Sequence, residues 1–410
     1  MFYLILPGIY IRLFWRSRKE PRYRQDLAQR MGHIDVGASG LVWIHAVSAG
    51  ETIAAKGLIE GLLEAGHQVL LTNMTPAGRD RAEALFGQRV TNVYAPYDVP
   101  HAIHRMLRRV QPRALIIIDT ELWPNTIILA RQNGIPVYLV NGRLSERSAR
   151  GYKRIAKLAT PMFESINQVF AQSESQAARF RALGAAKVIA SGSVKFDSTL
   201  PPDFPERVEA LRPRFEGKQI ILAASTHEGE EAMLLEAFLS LDNEQTILII
   251  APRHVHRTSV VVEQLEKTGI PYQQHSKAAE IESRTRLYLL DTMGELIYFF
   301  AICDVAFVGG SLVDIGGHNP MEPAGLGKPV LMGPYRRNIS DIADQFIEEG
   351  ALLTIASAEE ARKVLENLLH HPQEMKRMSA AALDVMARNR GALAVVMNSI
   401  LSTLEVDEST

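Results

Sequence analysis

Residues Val305–Met332 read VAFVGGSLVDIGGHNPMEPAGLGKPVLM, the pattern of a strand, a glycine-rich loop, a short helix and a second strand. The apolar run 305–308 is typical of a strand buried in a parallel sheet. Glycine lets a backbone approach a ligand closely, and the loop contains Gly309, Gly310, Gly316 and Gly317. Asn319 and Glu322 follow near the helix start, where a carboxylate can accept both hydroxyls of a ribose. The stretch predicts a nucleotide site. The alternative is a tight turn in which both side chains only cap the helix.

The rest of the chain repeats this alternation of strand and helix. Short apolar runs such as LVWIHA, ALIIID and VYLVN in the first half, and IILAA, TILIIA and LYLL in the second, are separated by segments of helical pattern. This order is typical of doubly wound parallel sheets whose two faces are covered by helices. A chain of 410 residues is too long for one core and favours two domains.

The predicted domain boundaries follow from where the periodicity stops. Prolines cluster at positions 201, 202, 205 and 213, so residues 199–214 are interpreted as a linker. Residues 31–198 are predicted to form the first Rossmann-like domain and residues 215–410 the second. The pattern leaves open whether the last helix, 392–404, packs back on the first domain.

Composition excludes some classes of function. With 47% hydrophobic residues, 22% charged residues and a net charge of −1, the chain is globular and has no overall attraction for nucleic acid. Its single cysteine, Cys303, cannot form an internal disulfide, in keeping with a reducing cytoplasm.

Residues 1–30 are predicted to associate with a membrane. Met1–Trp15 is apolar except for Arg12 and is followed by a basic flank. Because a span needs roughly 20 apolar residues, and because Pro7 and Gly8 interrupt this shorter run, we expect a helix lying in the membrane interface. The order of apolar run and basic flank favours a cytoplasmic protein body and not a secretory signal. The alternative is a hydrophobic helix docked on the protein itself.

Loops that follow strands in the first domain carry candidate catalytic residues, since ligands bind beyond the carboxyl ends of strands in open α/β sheets. Glu51 ends the segment HAVSAGE, and the helix N-terminus there is expected to lower its pKa and keep it ready to accept a proton from a sugar hydroxyl. The alternative is a capping box formed with Ser48. Glu121 lies in TELWPN ahead of Trp123, a side chain suited to a sugar or to packing. Lys195 lies in GSVKFD.

Loops of the second domain suggest a phosphate or nucleotide site. Ser225 and Thr226 directly precede a helix, where hydroxyls and free N–H groups can hold a phosphate. Arg253 follows the next strand, and its alternative role is at the surface or in capping. The segment DTMGEL carries Gly294 and Glu295 between a strand and a helix.

Together these motifs resemble the Kdo (3-deoxy-D-manno-octulosonic acid) transferases of lipopolysaccharide biosynthesis. The resemblance covers most of the chain, through KEPRYRQDLAQRMG, HAVSAGE, DTELWPN, NGRLS, GSVKFD, APRH, DTMGEL and the opening stretch. It implies a GT-B glycosyltransferase, with two Rossmann-like domains facing a central cleft. It also implies inverting transfer of Kdo from CMP-Kdo to the lipid A precursor at the cytoplasmic side of the inner membrane.

Residue roles are carried over from the same resemblance. Glu51 would be the general base, assisted by Glu121 and Lys195. CMP would be held by Arg253, Met293, Gly294, Glu295, Asn319 and Glu322. No metal or other cofactor is expected, since arginine and helix N-termini can stabilise a departing monophosphate, and since no metal-ligand spacing is evident.

Two other functions fit the same pattern. A hydrolysing nucleotide-sugar epimerase has a similar two-lobed fold but leaves the N-terminal segment unexplained. A bilobed sugar-binding protein would close on its ligand without a catalytic base.

Overall fold

A computed structural model of the chain describes residues 20–197, 200–277, 280–337 and 339–406, together with 8, 13–15, 17 and 18. The chain divides into two compact units. The first contains Met1–Thr199 and Asn389–Thr410, and the second contains Leu200–Arg388. Each unit has its own parallel sheet.

The first unit is built on a seven-stranded sheet of order β3-β2-β1-β4-β5-β6-β7, in which all pairs are parallel. Its strands are β1 Val42–His45, β2 Val69–Asn73, β3 Thr91–Tyr94, β4 Ala114–Ile118, β5 Val137–Gly142, β6 Gln168–Ala171 and β7 Val188–Ala190. Its helices before the chain enters the second unit are α1 Leu27–Arg30, α2 Ala49–Ala54, α3 Lys56–Glu64, α4 Pro76–Phe86, α5 Pro100–Val110, α6 Pro124–Gln132, α7 Glu146–Arg154, α8 Ala156–Glu164 and α9 Glu174–Arg181.

Both faces of this sheet are buried because successive strand residues point to opposite sides. Val42 and Ile44 of β1 belong to one hydrophobic cluster, and Trp43 between them belongs to the other. Trp43 lies opposite Leu70 on β2 and Leu115 on β4. A strand covered on both faces reads as a nearly continuous apolar run, which is why the short runs were recognisable in the sequence.

The second unit has a seven-stranded parallel sheet of order β10-β11-β9-β8-β12-β13-β14. Its strands are β8 Gln219–Thr226, β9 Thr246–Pro252, β10 Tyr272–Gln274, β11 Leu287–Leu289, β12 Val305–Val308, β13 Val330–Met332 and β14 Leu352–Thr354. Its helices are α10 Phe204–Leu211, α11 Glu230–Leu239, α12 Thr258–Lys267, α13 Leu296–Ile302, α14 Met321–Gly325, α15 Ser340–Glu348, α16 Ala358–His370 and α17 Pro372–Asn389. The predicted doubly wound fold is confirmed, and the opening stretch supplies β12, α14 and β13.

The stretch 199–214, predicted as a linker, has a different structure. It contains α10 and the start of a 3-10 helix, Arg212–Phe215, and Leu211 and Phe215 are buried in a core cluster of the second unit. Pro205 and Pro213 stand in the first turns of these two helices. Proline is tolerated there because those N–H groups need no helical partner, so the proline cluster did not mark an unstructured linker.

The last helix, α18 Ala392–Val406, returns to the first unit. Its residues Val396 and Ile400 join the cluster that contains Val42 and Ile44. Asp197 accepts hydrogen bonds from the backbone N–H groups of Gly391 and Leu393, both at 2.7 Å, and so holds the N-terminus of α18. The predicted second domain, 215–410, therefore extends too far.

Glycines on α3 let α18 approach it. A Cβ atom at Gly57 would lie 2.7 Å from Cδ2 of Leu393, and one at Gly61 would lie 2.8 Å from Cε of Met397. Only a residue without a side chain leaves room for these two α18 side chains in their present positions.

The predicted membrane-associating segment 1–30 lies partly outside the described residues. Within the described part, Phe14 and Trp15 are exposed, whereas Arg22 of the basic flank pairs with Asp80 at 2.8 Å and with Glu20. Across the part of the chain that the structure describes, no helix has both the length and the apolar character needed to cross a membrane.

Two neighbouring valines on α18 test whether this helix packs on the first unit. Val396 is 0% exposed and its neighbour Val395 is 42% exposed. We expect Val396→Ala to lower the free energy of unfolding of the first unit by about 2 kcal/mol through lost burial and a small cavity. Val395→Ala should change it by less than about 0.5 kcal/mol.

Tryptophan fluorescence during urea unfolding measures this difference. Trp15, Trp43 and Trp123 are the three tryptophans of the chain, and all belong to the first unit. Equal effects of the two substitutions would mean that α18 does not pack on this unit in solution.

Candidate functional site

The catalytic candidates of the first unit lie at the carboxyl edge of its sheet. Glu51, Glu121 and Lys195 stand on segments that follow β1, β4 and β7. β1 and β4 are adjacent, and the strand order reverses between them, which is where open α/β sheets bind their ligands. The carboxylates interact, since the charges of Glu121 and Asp119 influence the ionisation of Glu51.

Glu51 is held as a buried carboxylate at the start of α2. It is 9% exposed; one carboxylate oxygen accepts from the backbone N–H of Val47 at 2.7 Å and the other accepts from Oγ of Ser48 at 2.8 Å. The Ser48 hydroxyl in turn accepts from the N–H of Glu51 at 3.4 Å. The serine half of a capping box is therefore present, whereas the Glu51 carboxylate reaches the N–H of Val47, one residue before the cap, and these bonds orient it.

The ionisation of Glu51 differs from the sequence expectation. Burial raises its pKa to about 7, against the lowering effect of the Ser48 and Val47 hydrogen bonds, and the negative charges of Glu121 and Asp119 add to the rise. The expected lowering by the helix N-terminus is wrong, because desolvation of the charged form outweighs the local dipole. A carboxyl group with a pKa near 7 can exchange a proton at neutral pH.

Asp119 and Asn141, for which the motifs predicted no role, belong to the same polar cluster. Asp119 directly follows β4 and Asn141 is the penultimate residue of β5, and their φ angles are 59° and 62°. Asn141 donates to Asp119 and accepts from Oγ of Ser193 at 2.8 Å. Nζ of Lys195 lies 3.6 Å from Oδ2 of Asp119. A polar residue at the carboxyl end of an apolar strand was the signal available in the sequence.

Glu121 is positioned by aromatic side chains. Trp123 donates its indole N–H to Glu121 at 2.9 Å, and its ring packs edge-on against His45, with 4.7 Å between ring centroids. His45 is buried, which lowers its pKa to about 4, so this imidazole is neutral at pH 7. Trp123 thus packs and also fixes a carboxylate.

In the second unit, the glycine-rich loop after β12 surrounds an internal carboxylate. Glu230, the first residue of α11, accepts from the N–H groups of His227, Gly310, Ser311 and Leu312 at 2.8–2.9 Å. A Cβ atom at Gly309 would lie 2.4 Å from the carbonyl oxygen of Ser225 and 2.8 Å from Glu230. In this part of the predicted nucleotide loop, the N–H groups of Gly310, Ser311 and Leu312 are therefore used by Glu230.

Thr226 is likewise turned into the unit. It is fully buried and donates to Glu231 at 2.9 Å, while Arg257 donates to the same carboxylate at 2.7 Å. Ser225 before it has φ 54° and is half-buried. The predicted phosphate contact through the Thr226 hydroxyl does not fit this geometry.

Arg253 lies beside a group of histidines. Its charge lowers the pKa values of His227, His254 and His318, although burial is the main cause for each and lowers that of His318 to about 4. Nε2 atoms of His227 and His318 lie 2.8 Å apart, so one ring donates to the other. Neutral imidazoles beside a guanidinium offer an anionic ligand hydrogen bonds and one positive charge.

The remaining donor-site candidates lie on two further loops of the same carboxyl edge. Met293 is 68% exposed and Gly294 has φ 83°, whereas Glu295 is bonded within the unit. Asn319 accepts from the N–H of Met321 at 3.0 Å, which is the capping role that the sequence left open. Glu322 is exposed in the first turn of α14.

Among the described residues, no group of three or more His, Cys, Asp or Glu side chains is placed to hold a metal ion. Burial raises the pKa of Cys303 to about 12, so this thiol stays protonated.

Comparisons with known proteins agree with the motifs. Residues 25–198 match the family model described as 3-deoxy-D-manno-octulosonic-acid transferase (kdotransferase). The chain is 35% identical over 400 residues to the 3-deoxy-D-manno-octulosonic acid transferase of Haemophilus influenzae, covering 95% of this chain and 94% of that protein. It is 36% identical over 362 residues to the enzyme of that name from Bordetella pertussis, covering 86% and 84%.

A solved structure also resembles the chain. The UDP-GlcNAc 2-epimerase from Neisseria meningitidis bound to UDP-GlcNAc aligns with a TM-score of 0.59, covering 89% of this chain and 100% of that one. The identity is 16%, so the likeness concerns the fold alone. It agrees with the predicted GT-B class.

The raised pKa of Glu51 predicts a pH-dependent stability. Because the folded protein retains this proton up to about pH 7, its stability should fall as pH rises from about 4.5 to about 7. Glu51→Gln lacks the titrating group, so its free energy of unfolding should gain up to about 3 kcal/mol relative to the wild type across that window. Urea unfolding followed by tryptophan fluorescence gives this difference at each pH.

Glu60→Gln is the control, because the stability that Glu60 contributes should change with pH in the opposite direction. A hydrogen bond from Arg89 lowers the pKa of Glu60, so its contribution is present above about pH 4.5 and is lost below it. A Glu51→Gln difference that stays constant from pH 4.5 to 7 would contradict the raised pKa.

Proposed function

The chain belongs to the Kdo transferase family, and we propose that it moves Kdo from CMP-Kdo to the lipid A precursor with inversion of configuration, using Glu51 as general base. The observation that carries this proposal is the buried carboxylate of Glu51, whose pKa is raised to about 7 at the edge where the strand order reverses. A base of that pKa is matched to neutral conditions.

In the proposed reaction, every bond formed or broken and the transferred proton are accounted for. The ionised Glu51 takes the proton of an acceptor hydroxyl as its oxygen attacks the anomeric carbon of Kdo. The bond from that carbon to the phosphate oxygen breaks, and CMP leaves with the bonding electrons. Attack opposite the leaving group inverts the configuration. Glu121 and Lys195 assist at the same edge, where Lys195 is 3.6 Å from Asp119 and supplies a positive charge.

CMP-Kdo is the proposed donor, and the second unit is its proposed site. We assign CMP to Arg253, the Met293–Glu295 loop, Asn319 and Glu322, with Ser225 nearby. Support comes from the positive charge of Arg253 among hydrogen-bonding histidines and from the exposed carboxylate of Glu322, which suits ribose hydroxyls. We propose that the departing monophosphate needs no metal ion.

An anionic glycolipid acceptor is supported by the surface of α7 and α8. Ile155 and Leu158 are exposed there. They lie among exposed cations, namely Arg147, Arg150, Lys153, Arg154 and Lys157. Basic side chains attract anionic headgroups, and exposed aliphatic side chains enter the interface. We therefore propose that the enzyme works at the cytoplasmic face of the inner membrane.

The epimerase alternative has weaker support. The transferase relatives share 35% and 36% identity with the chain, whereas the epimerase shares a fold at 16% identity. A sugar-binding role without catalysis would give no function to the raised pKa of Glu51.

Transfer is tested by incubating the protein with CMP-Kdo and a tetraacylated lipid A precursor, with and without EDTA, followed by mass spectrometry of the lipid. We expect a mass increase of one or more Kdo units that EDTA does not prevent. An isomerised sugar would indicate the epimerase. An unchanged lipid with no CMP released would overturn the proposed activity.

Glu51→Gln tests the base. The substitution should lower the transfer rate roughly a hundredfold to ten-thousandfold while CMP binding is retained, and Glu60→Gln should leave the rate unchanged. In the wild type, kcat/KM should rise with pH through about 7 as Glu51 loses its proton. A Glu51→Gln enzyme that keeps substantial transfer would remove Glu51 from this role.

A further inference from the structure

The carboxylate of Glu295 is directed into its own unit. Arg207 on α10 and His275 after β10 both contact it, and Thr292 donates to it at 2.8 Å. These three partners come from three separate segments of the second unit. Although burial opposes its ionisation, the Thr292 hydrogen bond, the electrostatic interaction with His275, and the hydrogen bond and charge of Arg207 lower the pKa of Glu295.

The partners of Glu295 are themselves fixed. Nδ1 of His275 lies 2.9 Å from the hydroxyl of Tyr288 on β11, and the His275 backbone N–H donates to Leu289 at 2.8 Å. The Arg207 guanidinium lies 4.2 Å from the ring centroid of Tyr298. Arg207 and His275 are therefore held by residues outside the 291–295 loop, and they contact Glu295 from there.

A second attachment holds the other end of the same loop. The N–H of Ser276 donates to Asp291 at 2.9 Å and the Ser276 hydroxyl donates to it at 2.6 Å. Residues 275 and 276 thus hold both Asp291 and Glu295. Between these two fixed ends stand Met293, which is 68% exposed, and Gly294, with φ 83°.

We propose that Arg207 and His275 are positioning residues for the nucleotide loop 291–295, acting through Glu295 while the backbone of Met293 and Gly294 contacts the nucleotide. This inference rests on the proposed CMP site and revises the role of Glu295 in it. A loop that is already held in its binding conformation loses less conformational entropy when the ligand binds. The contact residues then bind CMP more tightly than a mobile loop would.

The group formed by Glu295, Arg207 and His275 lines a pocket of about 230 Å³, together with Arg214, Tyr298 and other residues. The Arg207 side chain is 43% exposed, whereas those of Glu295 and His275 are 19% and 14% exposed. Variants of Arg207 are therefore expected to fold, and differential scanning calorimetry checks this.

The test measures CMP binding to the full-length protein by titration calorimetry and the kinetics of Kdo transfer. Arg207→Ala, His275→Gln and Glu295→Gln should each raise the Kd for CMP about tenfold, a size typical of charged groups in direct contact. The KM for CMP-Kdo should rise equally while kcat is retained, and Arg207→Lys should recover part of the affinity. Arg284→Ala is the matched control, since Arg284 pairs with Glu282 in the same unit, away from this loop.

A double variant separates positioning from direct contact. If Arg207 acts through Glu295, the variant carrying both Arg207→Ala and Glu295→Gln should bind CMP no more weakly than either single variant. Additive losses, or a loss in Glu295→Gln alone, would mean that Glu295 touches the nucleotide itself and would overturn the inference. Variants that bind as the wild type does would also overturn it.

The same measurements distinguish failure of the proposed function from failure of this inference. A wild-type protein that does not bind CMP overturns the CMP site and this inference with it. A wild type that binds CMP but transfers no Kdo overturns the proposed reaction, while the calorimetric comparison of the variants still decides the positioning role.

Discussion

The structure depends on satisfying backbone N–H groups at the carboxyl edge of two parallel sheets, where loops turn into helices and no ladder hydrogen bonds remain. Both units meet this requirement with a buried glutamate near the start of the helix that follows a central strand. Glu51 follows β1 and Glu230 follows β8. Without an acceptor, each donor would carry the cost of an unsatisfied buried polar group.

The two glutamates differ in how fully they are bonded. Glu230 accepts from four backbone N–H groups, whereas Glu51 accepts from one backbone N–H and one hydroxyl. Glu51 also lies near the negative charges of Glu121 and Asp119. Burial is the main cause of the raised pKa of Glu51, and these negative neighbours add to it. One position in the fold thus serves structure in the second unit and suits proton transfer in the first.

The residues predicted to bind a nucleotide in the second unit show the same dependence on internal hydrogen bonds. Polar groups that look available in the sequence are often bonded internally, as Thr226 is to Glu231 and Glu295 is to Arg207. Met293 and Glu322 are exposed, and Arg253 is half-buried. Internal bonding of this kind holds the loops in place and limits which groups a nucleotide can meet.

The sequence by itself determined the class of fold and the sheet edge on which the candidate site residues lie. Apolar strands covered on both faces are recognisable from local composition, and parallel connection places every following loop at one edge. Only the tertiary structure decided that burial raises the pKa of Glu51 to about 7, that Glu230 uses the glycine-loop donors, that α18 returns to the first unit and that residues 204–211 form a helix. Desolvation and hydrogen-bond partners depend on atoms far apart in the chain, such as Glu230 and Gly310, and no local pattern specifies those neighbours.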